Sequence, residues 1–209
     1  MSSSFLISFE GIEGSGKSTQ ILKFKEYLER ENFTPYIFRE PGGCTFSEIL
    51  RGAILNSKVP IHPLSEAYLF ASARSQLLFE KILPILNDNP KSVVLLDRYI
   101  DSSLVYQGIA RNLGVDTILG IHSHYPLNTF PALTFYLKID PATSLERQKA
   151  RGGKADYFEK ESLDFHQKIA DGFSNLAKRF PERIKTIEAK KSAEEVHNQI
   201  IHIWSQFKS

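Results

Sequence analysis

The stretch Gly11-Ile-Glu-Gly-Ser-Gly-Lys17-Ser18 decides the fold of this 209-residue chain. It matches the pattern G-x-x-x-x-G-K-[ST], and it lies between an apolar run at residues 5–9 and a helical pattern at residues 17–31, the context that this motif requires. The glycines let the backbone turn with its N–H groups pointing inward, and the helix N-terminus adds partial positive charge. The sequence therefore predicts a phosphate-binding loop between the first strand and the first helix.

Several positions of this loop have a predicted part in holding a triphosphate. In this motif the lysine, here Lys17, reaches the β- and γ-phosphates, and the hydroxyl of the next residue, Ser18, can ligate Mg²⁺. Asp97 ends an apolar run at residues 93–96 and is the predicted second metal ligand, with a helix-capping aspartate as the alternative. The residues expected to line the nucleotide site are Gly11, Ile12, Glu13, Gly14, Ser15, Gly16, Lys17, Ser18 and Thr19.

Short apolar runs alternate with longer helical patterns along the rest of the chain, which is typical of a parallel sheet flanked by helices. Strands are predicted at residues 5–9, 36–39, 93–96, 133–139 and 184–187, and helices at residues 17–31, 65–87, 141–151, 159–180 and from 192 onward. Pro84 should kink or end the helix at 65–87. We expect residues 1–209 to form a single α/β domain.

The composition excludes several classes of protein. Hydrophobic residues at 42% and charged residues at 24% indicate a globular chain, and a net charge of +2 predicts neither a nucleic-acid nor a membrane partner. The single cysteine, Cys44, cannot form an internal disulfide, and the six histidines show no zinc-ligand spacing. The N-terminal segment lacks the basic region of a signal peptide, and no apolar run reaches about 18 residues. We therefore expect a cytoplasmic protein.

Five segments resemble the thymidylate kinase family, and they follow one another over nearly the whole chain. They are residues 9–17 (FEGIEGSGK), 39–43 (REPGG), 71–76 (ASARSQ), 97–99 (DRY) and 102–107 (SSLVYQ). The resemblance implies the P-loop NTPase fold, with a five-stranded parallel sheet, and phosphorylation of dTMP to dTDP by ATP and Mg²⁺, in dTTP synthesis for DNA replication. A kinase for another pyrimidine monophosphate (UMP, CMP or dUMP) is the alternative, and a nucleotide-dependent switch is a second one, although the N-K-x-D motif of GTPase switches is absent.

The resemblance also assigns a pocket for the acceptor nucleotide. Phe70 and Arg74, which are i,i+4 neighbours on one helix face, would stack on thymine and contact its O4 edge. Without the resemblance, core packing for Phe70 and a surface ion pair for Arg74 are the alternatives. Arg98 and Arg51 would bind the acceptor phosphate, with a solvated helix arginine as the alternative for Arg51.

Further acceptor residues follow from the same segments. Tyr106 would pack against the sugar and disfavour a 2′-hydroxyl, and Gln107 carries both an amide and a carbonyl, which suit a pyrimidine edge. Ser103 resembles a hydroxyl that contacts the base, and Arg39 belongs to the loop that the resemblance aims into the site through a cis bond before Pro41. Glu10 resembles an acidic residue near the acceptor sugar and the metal.

A lid is implied at about residues 147–158, where a glycine-flanked basic segment follows the fourth strand. Because the variable loop positions contain no arginine, the resemblance places the transition-state cation in the lid, with Arg151 first, Lys154 second and Arg147 also available. The lid departs from the family, because this chain has Asp156-Tyr157-Phe158-Glu159 where an Asp-Arg pair is common. The sequence therefore leaves open which lid residue supplies the cation. The expected catalytic residues are Lys17, Arg98, Arg151 and Glu10. The family is homodimeric through helices near residues 64–86, where apolar residues almost surround the predicted helix.

Overall fold

The computed structural model describes residues 4–88, 90–151, 157–158 and 162–208, apart from the side chains of residues 151 and 163. The strands are β1 (Phe5–Glu10), β2 (Thr34–Arg39), β3 (Ser92–Asp97), β4 (Leu133–Lys138) and β5 (Ile184–Glu188). The helices are α1 (Lys17–Arg30), α2 (Thr45–Leu55), α3 (Pro63–Leu77), α4 (Leu83–Asp88), α5 (Ile100–Ser103), α6 (Val115–Ile121), α7 (Pro141–Arg151), α8 (Leu163–Arg179) and α9 (Ala193–Phe207). Two π-helical segments, Leu78–Ile82 and Leu104–Ala110, continue α3 and α5.

The five strands form one parallel sheet in the order β2-β3-β1-β4-β5, as expected for an α/β protein with this loop. In the central register, Phe9 of β1 lies opposite Asp97 of β3 and Phe135 of β4. The residues that follow β1 and β3 therefore leave the same edge of the sheet as neighbours. That the whole of residues 1–209 forms one domain stays a prediction.

The core is built on the two faces of the central strands. Ile7 and Leu95 are fully buried, and burial of a side chain of this size is worth about 1.5–3 kcal/mol. On the α1 and α9 side, the Phe24 ring packs edge-on against Phe135 and Trp204, with ring centroids 5.7 Å apart in each pair. In the described residues, no helix combines the length and the apolar character needed to cross a membrane.

The helix predicted at residues 65–87 is where the observed structure differs most from a regular pattern. The chain stays helical past Pro84, but the turn Leu78–Ile82 before it is a π-helix. Proline lacks an N–H, and its ring crowds the carbonyl four residues earlier. The helix therefore continues through a wider, π-helical turn before Pro84 instead of ending there. The interruption thus lies a turn earlier than the proline itself.

Several elements were not predicted from the sequence. These are α2, the segment formed by α5 and the π-helical Leu104–Ala110, and α6. The α6 helix has only seven residues, and a π-helix has no 3.6-residue period to detect. A capping box begins α9: the Ser192 side chain accepts from the Glu195 N–H, and the Glu195 side chain accepts from the Ser192 N–H.

A buried ion pair ties the start of β5 to the segment after β3. Both terminal guanidinium nitrogens of Arg183 lie 2.6 Å from the carboxylate of Asp101, which is 1% exposed. Thr134 of β4 donates to the same carboxylate at 3.0 Å and is 2.7 Å from the Ser8 hydroxyl. This network joins the start of β5 and helix α5 to the neighbouring strands β4 and β1.

We predict that Arg183→Met lowers the free energy of unfolding by about 3–5 kcal/mol, because it leaves the Asp101 carboxylate buried without its cation. Arg179→Met is the matched control, since the Arg179–Asp116 pair is exposed and such pairs contribute about 0–1 kcal/mol. Urea denaturation of both variants measures the difference. Equal losses in the two variants would contradict this account of Asp101.

Candidate active site

Two clefts open side by side at the edge of the sheet where β1 and β3 end. The loop cleft is lined by Glu13, Gly14, Gly16, Lys17, Ser18, Thr19, Arg39, Glu40, Arg51, Asp97 and Arg98. The aromatic cleft holds about 770 Å³ including its open mouth, and its lining includes Ile12, Phe70, Arg74, Ser103, Tyr106, Gln107 and Phe158. Glu13, Glu40, Arg51 and Arg98 lie on the walls of both clefts. Groups bound in the two clefts would therefore meet at these two arginines.

The phosphate loop takes a backbone path that side chains would block. Gly11 has φ +139°, and a Cβ there would lie 2.6 Å from the carbonyl oxygen of Leu137 in β4. Gly14 has φ +71°, and its Cβ would lie 3.1 Å from the Ser144 carbonyl oxygen and 3.2 Å from Arg147. The loop is thus pressed against β4 on one side and α7 on the other.

Helix α7 holds two of the loop carbonyls. The Ser144 hydroxyl donates to the Glu13 carbonyl oxygen at 2.6 Å, and the Arg147 guanidinium donates to the Gly14 carbonyl oxygen at 3.1 Å. A second nitrogen of Arg147 donates to the Ala189 carbonyl oxygen at 3.1 Å. Because these carbonyls face α7, the loop keeps the turn that an anion-binding site needs. Arg147, considered as a lid cation, is here bound to the loop backbone.

Lys17 and Ser18 lie side by side on the wall of the loop cleft. The Lys17 ammonium is 6% exposed and donates to the carbonyl oxygens of Gly11 and Ile12 at 3.1 and 3.2 Å. Burial and the nearby Arg98 charge lower the pKa of Lys17, so an incoming anion would restore a favourable environment for its charge. The Ser18 hydroxyl donates to the Asp97 carboxylate at 2.9 Å.

Other parts of the loop complete a site for an anion. Of the loop residues, Glu13, Gly14, Gly16, Lys17, Ser18 and Thr19 line the loop cleft, Ile12 lines the aromatic cleft, and Gly11 and Ser15 are buried. The buried Ser15 hydroxyl has no hydrogen-bond partner among the described residues. A buried hydroxyl of this kind ordinarily has a partner, so its position in the loop fits a bound phosphate oxygen.

Arg98 is held at the junction of the two clefts by its backbone and its side chain. It has φ +69°, a left-handed conformation that is uncommon for arginine, and its N–H donates to the Phe9 carbonyl oxygen at 3.0 Å. Its guanidinium donates to the Gly11 carbonyl oxygen at 3.1 Å, the Ser102 hydroxyl at 3.2 Å and the Glu13 carboxylate at 2.9 Å. Backbone strain of this kind is often found at functional sites.

The other two arginines predicted at the site differ from each other. Arg51 of α2 lies on both cleft walls and donates to the Pro41 carbonyl oxygen at 2.8 Å. Arg39 lies on the loop cleft only, is half exposed, and pairs with Glu48 at 3.1 Å. The Glu40–Pro41 bond between them is cis, as the family resemblance implies.

Glu10 is fully buried beneath the site rather than on a cleft wall. Its carboxylate accepts from the Tyr99 N–H at 2.7 Å, the Ser102 N–H at 3.2 Å and the Ser102 hydroxyl at 2.6 Å. Burial and the neighbouring Asp101 charge raise the pKa of Glu10 to about 7, although the Ser102 and Tyr99 hydrogen bonds act in the opposite direction. In this position Glu10 holds the turn that follows Arg98.

Three aromatic rings form one side of the aromatic cleft. The Phe158 ring lies 6.1 Å from the Phe70 ring and 5.4 Å from the Tyr106 ring, between centroids. The Tyr106 ring also lies under the Arg98 guanidinium, 5.3 Å from its central carbon. Phe70 and Tyr106 are therefore on the cleft surface, as expected, and Phe158 from the lid lies between them.

Buried polar side chains form the opposite side of the aromatic cleft. Arg74 is 2% exposed and pairs with Glu40 at 2.6 Å. It is therefore buried, and its guanidinium already has a carboxylate partner. It also donates to the Ser103 hydroxyl at 3.1 Å. The amide nitrogen of Gln107 donates to Glu66 at 2.8 Å, which leaves the amide oxygen as the acceptor available to a ligand.

Several residues at the site were not identified from the sequence. They are Glu40, Ser102, His122, Phe158 as a cleft residue, and His166. Glu40 and Ser102 belong to segments that carry the family resemblance. The position of Glu40 directly before Pro41 was a sequence signal that could have identified it as a site residue. His122 is in a separate helix end and has no local sequence signal. The predicted lid cations, the Arg151 side chain and Lys154, lie outside the described part of the chain.

Comparisons with known proteins identify the family of the chain. The family model described as thymidylate kinase matches residues 9–200. Curated relatives named thymidylate kinase include one from Thermoanaerobacter sp. (strain X514), 40% identical over 96% of this chain and 97% of its own length. Another, from Geobacillus sp. (strain WCH70), is 44% identical over 90% of each chain.

A solved structure extends the similarity to the fold. The crystal structure of thymidylate kinase from Ehrlichia chaffeensis matches with a TM-score of 0.77 and 28% identity, over 97% of this chain and 99% of that one. The loop, the five-stranded sheet and the sequence matches lead to the same conclusion. The chain belongs to the thymidylate kinase family.

Proposed function

We propose that this protein transfers the terminal phosphoryl group of ATP to dTMP, giving ADP and dTDP for dTTP synthesis. The family to which the chain belongs carries out this reaction. The observation that carries the proposal in the structure is that Arg51 and Arg98 line both clefts, one built around a phosphate loop and the other around aromatic rings. Such a wall is what transfer between two phosphates requires.

ATP would bind with its phosphates in the loop cleft. The loop N–H groups and the N-terminus of α1 attract the phosphate oxygens, and Lys17 exchanges the carbonyls of Gly11 and Ile12 for them. Since Lys17 is already buried, it needs little further desolvation to do so. Preorganised charge of this kind is the main contribution that such sites make to phosphoryl transfer.

We propose Mg²⁺ as the metal partner of ATP, held by Ser18 and Asp97. Their side-chain oxygens lie 2.9 Å apart at the loop cleft, and oxygens of this type are the ligands that Mg²⁺ prefers. Among the described residues, no group of three or more His, Cys, Asp or Glu side chains is placed to hold a metal alone. A site with few protein ligands fits Mg²⁺, which usually keeps waters and binds substrate phosphates. When bound, the ion neutralises charge on the donor phosphates.

The aromatic cleft fits thymine. Phe70 offers a ring for stacking, the Gln107 amide oxygen accepts from a group such as the N3–H, and Arg74 donates to a carbonyl such as O4. Ser103 supports Arg74 from behind. Tyr106, between Phe158 and the Arg98 guanidinium, is in a position to pack against the sugar.

The reaction needs no general base, because the acceptor phosphate is already an adequate nucleophile. An oxygen of that phosphate forms a bond to the γ-phosphorus while the bond to the ADP oxygen breaks, and Lys17 and Arg98 stabilise the charge on the transferring group. Glu10 would contribute by fixing the turn that carries Ser102 behind Arg98. The part of Arg39, and of Arg151 or Lys154 in the lid, stays a prediction.

We also propose that the protein acts as a homodimer. The support is an apolar surface on α2, α3 and the turn after α3: Phe46, Ile49, Tyr68 and Phe79 are between 49% and 69% exposed. The helices α2 and α3 pack on each other, and exposed apolar side chains on adjoining helices favour an interface. The cytoplasmic location stays a prediction, with the free thiol of Cys44 in accord with a reducing compartment.

The substrate proposal is tested by initial rates with dTMP, dUMP, UMP and CMP at equal concentration and saturating ATP. We expect dTMP to react faster than UMP and CMP, because Tyr106 disfavours a ribose and the amino group of cytosine does not match Arg74; dUMP shares the base edge and the sugar of dTMP and should be the nearest competitor. Tyr106→Ala should narrow the gap between dTMP and ribonucleotides. A preference for UMP or CMP would overturn the choice of substrate, and ATP hydrolysis without transfer to any monophosphate would favour a switch.

Lys17→Ala and Arg98→Ala should each lower kcat at least about a hundredfold, or about 3 kcal/mol, because each removes a cation from the transferring group. Lys23→Ala is the matched control, since Lys23 is on the same helix as Lys17 but pairs with Glu194 at 2.7 Å on the outside. Its kcat should stay within about twofold of the wild type. Near-normal turnover of either cleft variant would remove that residue from the mechanism.

Sedimentation equilibrium should give twice the 23.7 kDa chain mass for the wild type. Phe79→Glu should shift the protein towards the monomer, because the carboxylate would be buried in the proposed interface. Leu145→Glu, at a partly exposed leucine of α7, is the control and should leave the mass unchanged. A monomeric wild type would refute the dimer.

A further inference from the structure

The guanidinium of Arg74 is almost fully used by its neighbours. Its Nε and Nη2 atoms lie 2.7 and 2.6 Å from one carboxylate oxygen of Glu40, and its Nη1 lies 3.1 Å from the Ser103 hydroxyl and 2.7 Å from Nε2 of His122. A guanidinium has five N–H donors. Three of them are hydrogen-bonded to described residues, and the Glu40 carboxylate lies beside Nη2 as an ion-pair partner. Arg74 lines the aromatic cleft, so the other N–H of Nη2 is the donor left for a ligand there.

His122 has its tautomer fixed by two partners. Its Nδ1 lies 2.8 Å from the Ile118 carbonyl oxygen, which can only accept, so Nδ1 carries the hydrogen. Its Nε2 faces Arg74, which can only donate, so Nε2 must be the unprotonated nitrogen. The ring is 1% exposed, and burial together with the Arg74 charge lowers the pKa of His122 to about 4. The imidazole is therefore neutral at physiological pH.

Arg74 is also restrained perpendicular to its plane. Its central guanidinium carbon lies 4.9 Å from the centroid of the buried Tyr99 ring. Glu40 occupies one edge of the guanidinium, and Ser103 and His122 occupy another. With one face and two edges occupied, the direction of the remaining N–H is set by the protein before any ligand arrives.

We propose that His122 is a positioning residue for base recognition, which fixes Arg74 so that its one free N–H points at the carbonyl on carbon 4 of a pyrimidine. The inference rests on the proposed function, since it names the group that sets the base preference of the same cleft. A base with a carbonyl at that position accepts from this N–H. A base with an amino group on carbon 4 places that hydrogen-bond donor against the Arg74 N–H, which is also a donor. This mismatch disfavours binding of such a base.

The neutral state of His122 matters for this role. A protonated His122 would carry a hydrogen on Nε2 as well, so it could not accept from Arg74 Nη1 and would repel the guanidinium charge. A neutral acceptor takes up the Nη1 hydrogen without this repulsion. The arrangement therefore combines a fixed direction with a donor that remains positively charged.

Binding of dTMP, dCMP and an ATP analogue is measured by calorimetry on the wild type and on His122→Phe. The variant keeps an aromatic ring but leaves an Arg74 N–H without an acceptor. We expect the dTMP Kd to rise about tenfold, the preference for dTMP over dCMP to fall by a similar factor, and the affinity for the ATP analogue to stay within twofold. His122→Gln returns an acceptor near Nε2 and should recover most of the preference.

His124→Phe is the matched control, because His124 is exposed two residues away and should leave all three affinities unchanged. A folded His122→Phe protein with wild-type dTMP affinity and base preference would overturn the proposal while leaving the kinase function intact. A wild type that binds no dTMP would overturn the function and this inference together. Should His122→Phe not fold, ¹⁵N NMR of the wild type decides: a proton on Nε2 of His122 refutes the proposal, and a proton on Nδ1 with a bare Nε2 supports it.

Discussion

The site depends on keeping two cations close together at one sheet edge, and the Glu13 carboxylate makes this possible. One of its oxygens lies 2.9 Å from Arg98 and 3.6 Å from Lys17. Two buried cations without an anion between them would repel each other at a high cost in free energy. Glu13 is thus an internal counter-ion, and a phosphate group that reaches the loop would take over its electrostatic role.

The backbone around these charges is fixed from several directions. The loop is held between β4 and α7, and Arg98 is anchored to the end of β1 by a main-chain hydrogen bond. Behind Arg98, Glu10 accepts three hydrogen bonds from the following turn. Preorganisation of this kind places charge where it is needed without movement during the reaction.

Much of the fold could be predicted from the sequence because its signals are local. A glycine loop between an apolar strand and a helix needs only about twenty consecutive residues, and it predicts both the sheet type and the site edge. The buried strand around residues 93–96 was equally clear, since both of its faces are covered. The π-helical Leu104–Ala110 was missed, because a wider turn has no periodic pattern of its own.

The acceptor side of the site was harder to predict, for a physical reason. Phe70 and Arg74 are neighbours on one helix, so their joint position was accessible from spacing alone. Glu40, Ser103 and His122 meet Arg74 from three other segments of the chain, and no sequence period relates them. Resemblance supplied Ser103 and the residues proposed to contact a ligand, but not Glu40 and His122, which hold Arg74 in place.

The position of Phe158 between Phe70 and Tyr106 has a consequence for the protein without nucleotide. An open cleft lined by aromatic rings would expose apolar surface to water and to other chains. Here the Phe158 ring packs against both neighbouring rings, so each of the three exposes less apolar surface. The contacts that shape the cleft therefore also limit the apolar area available for association with other chains.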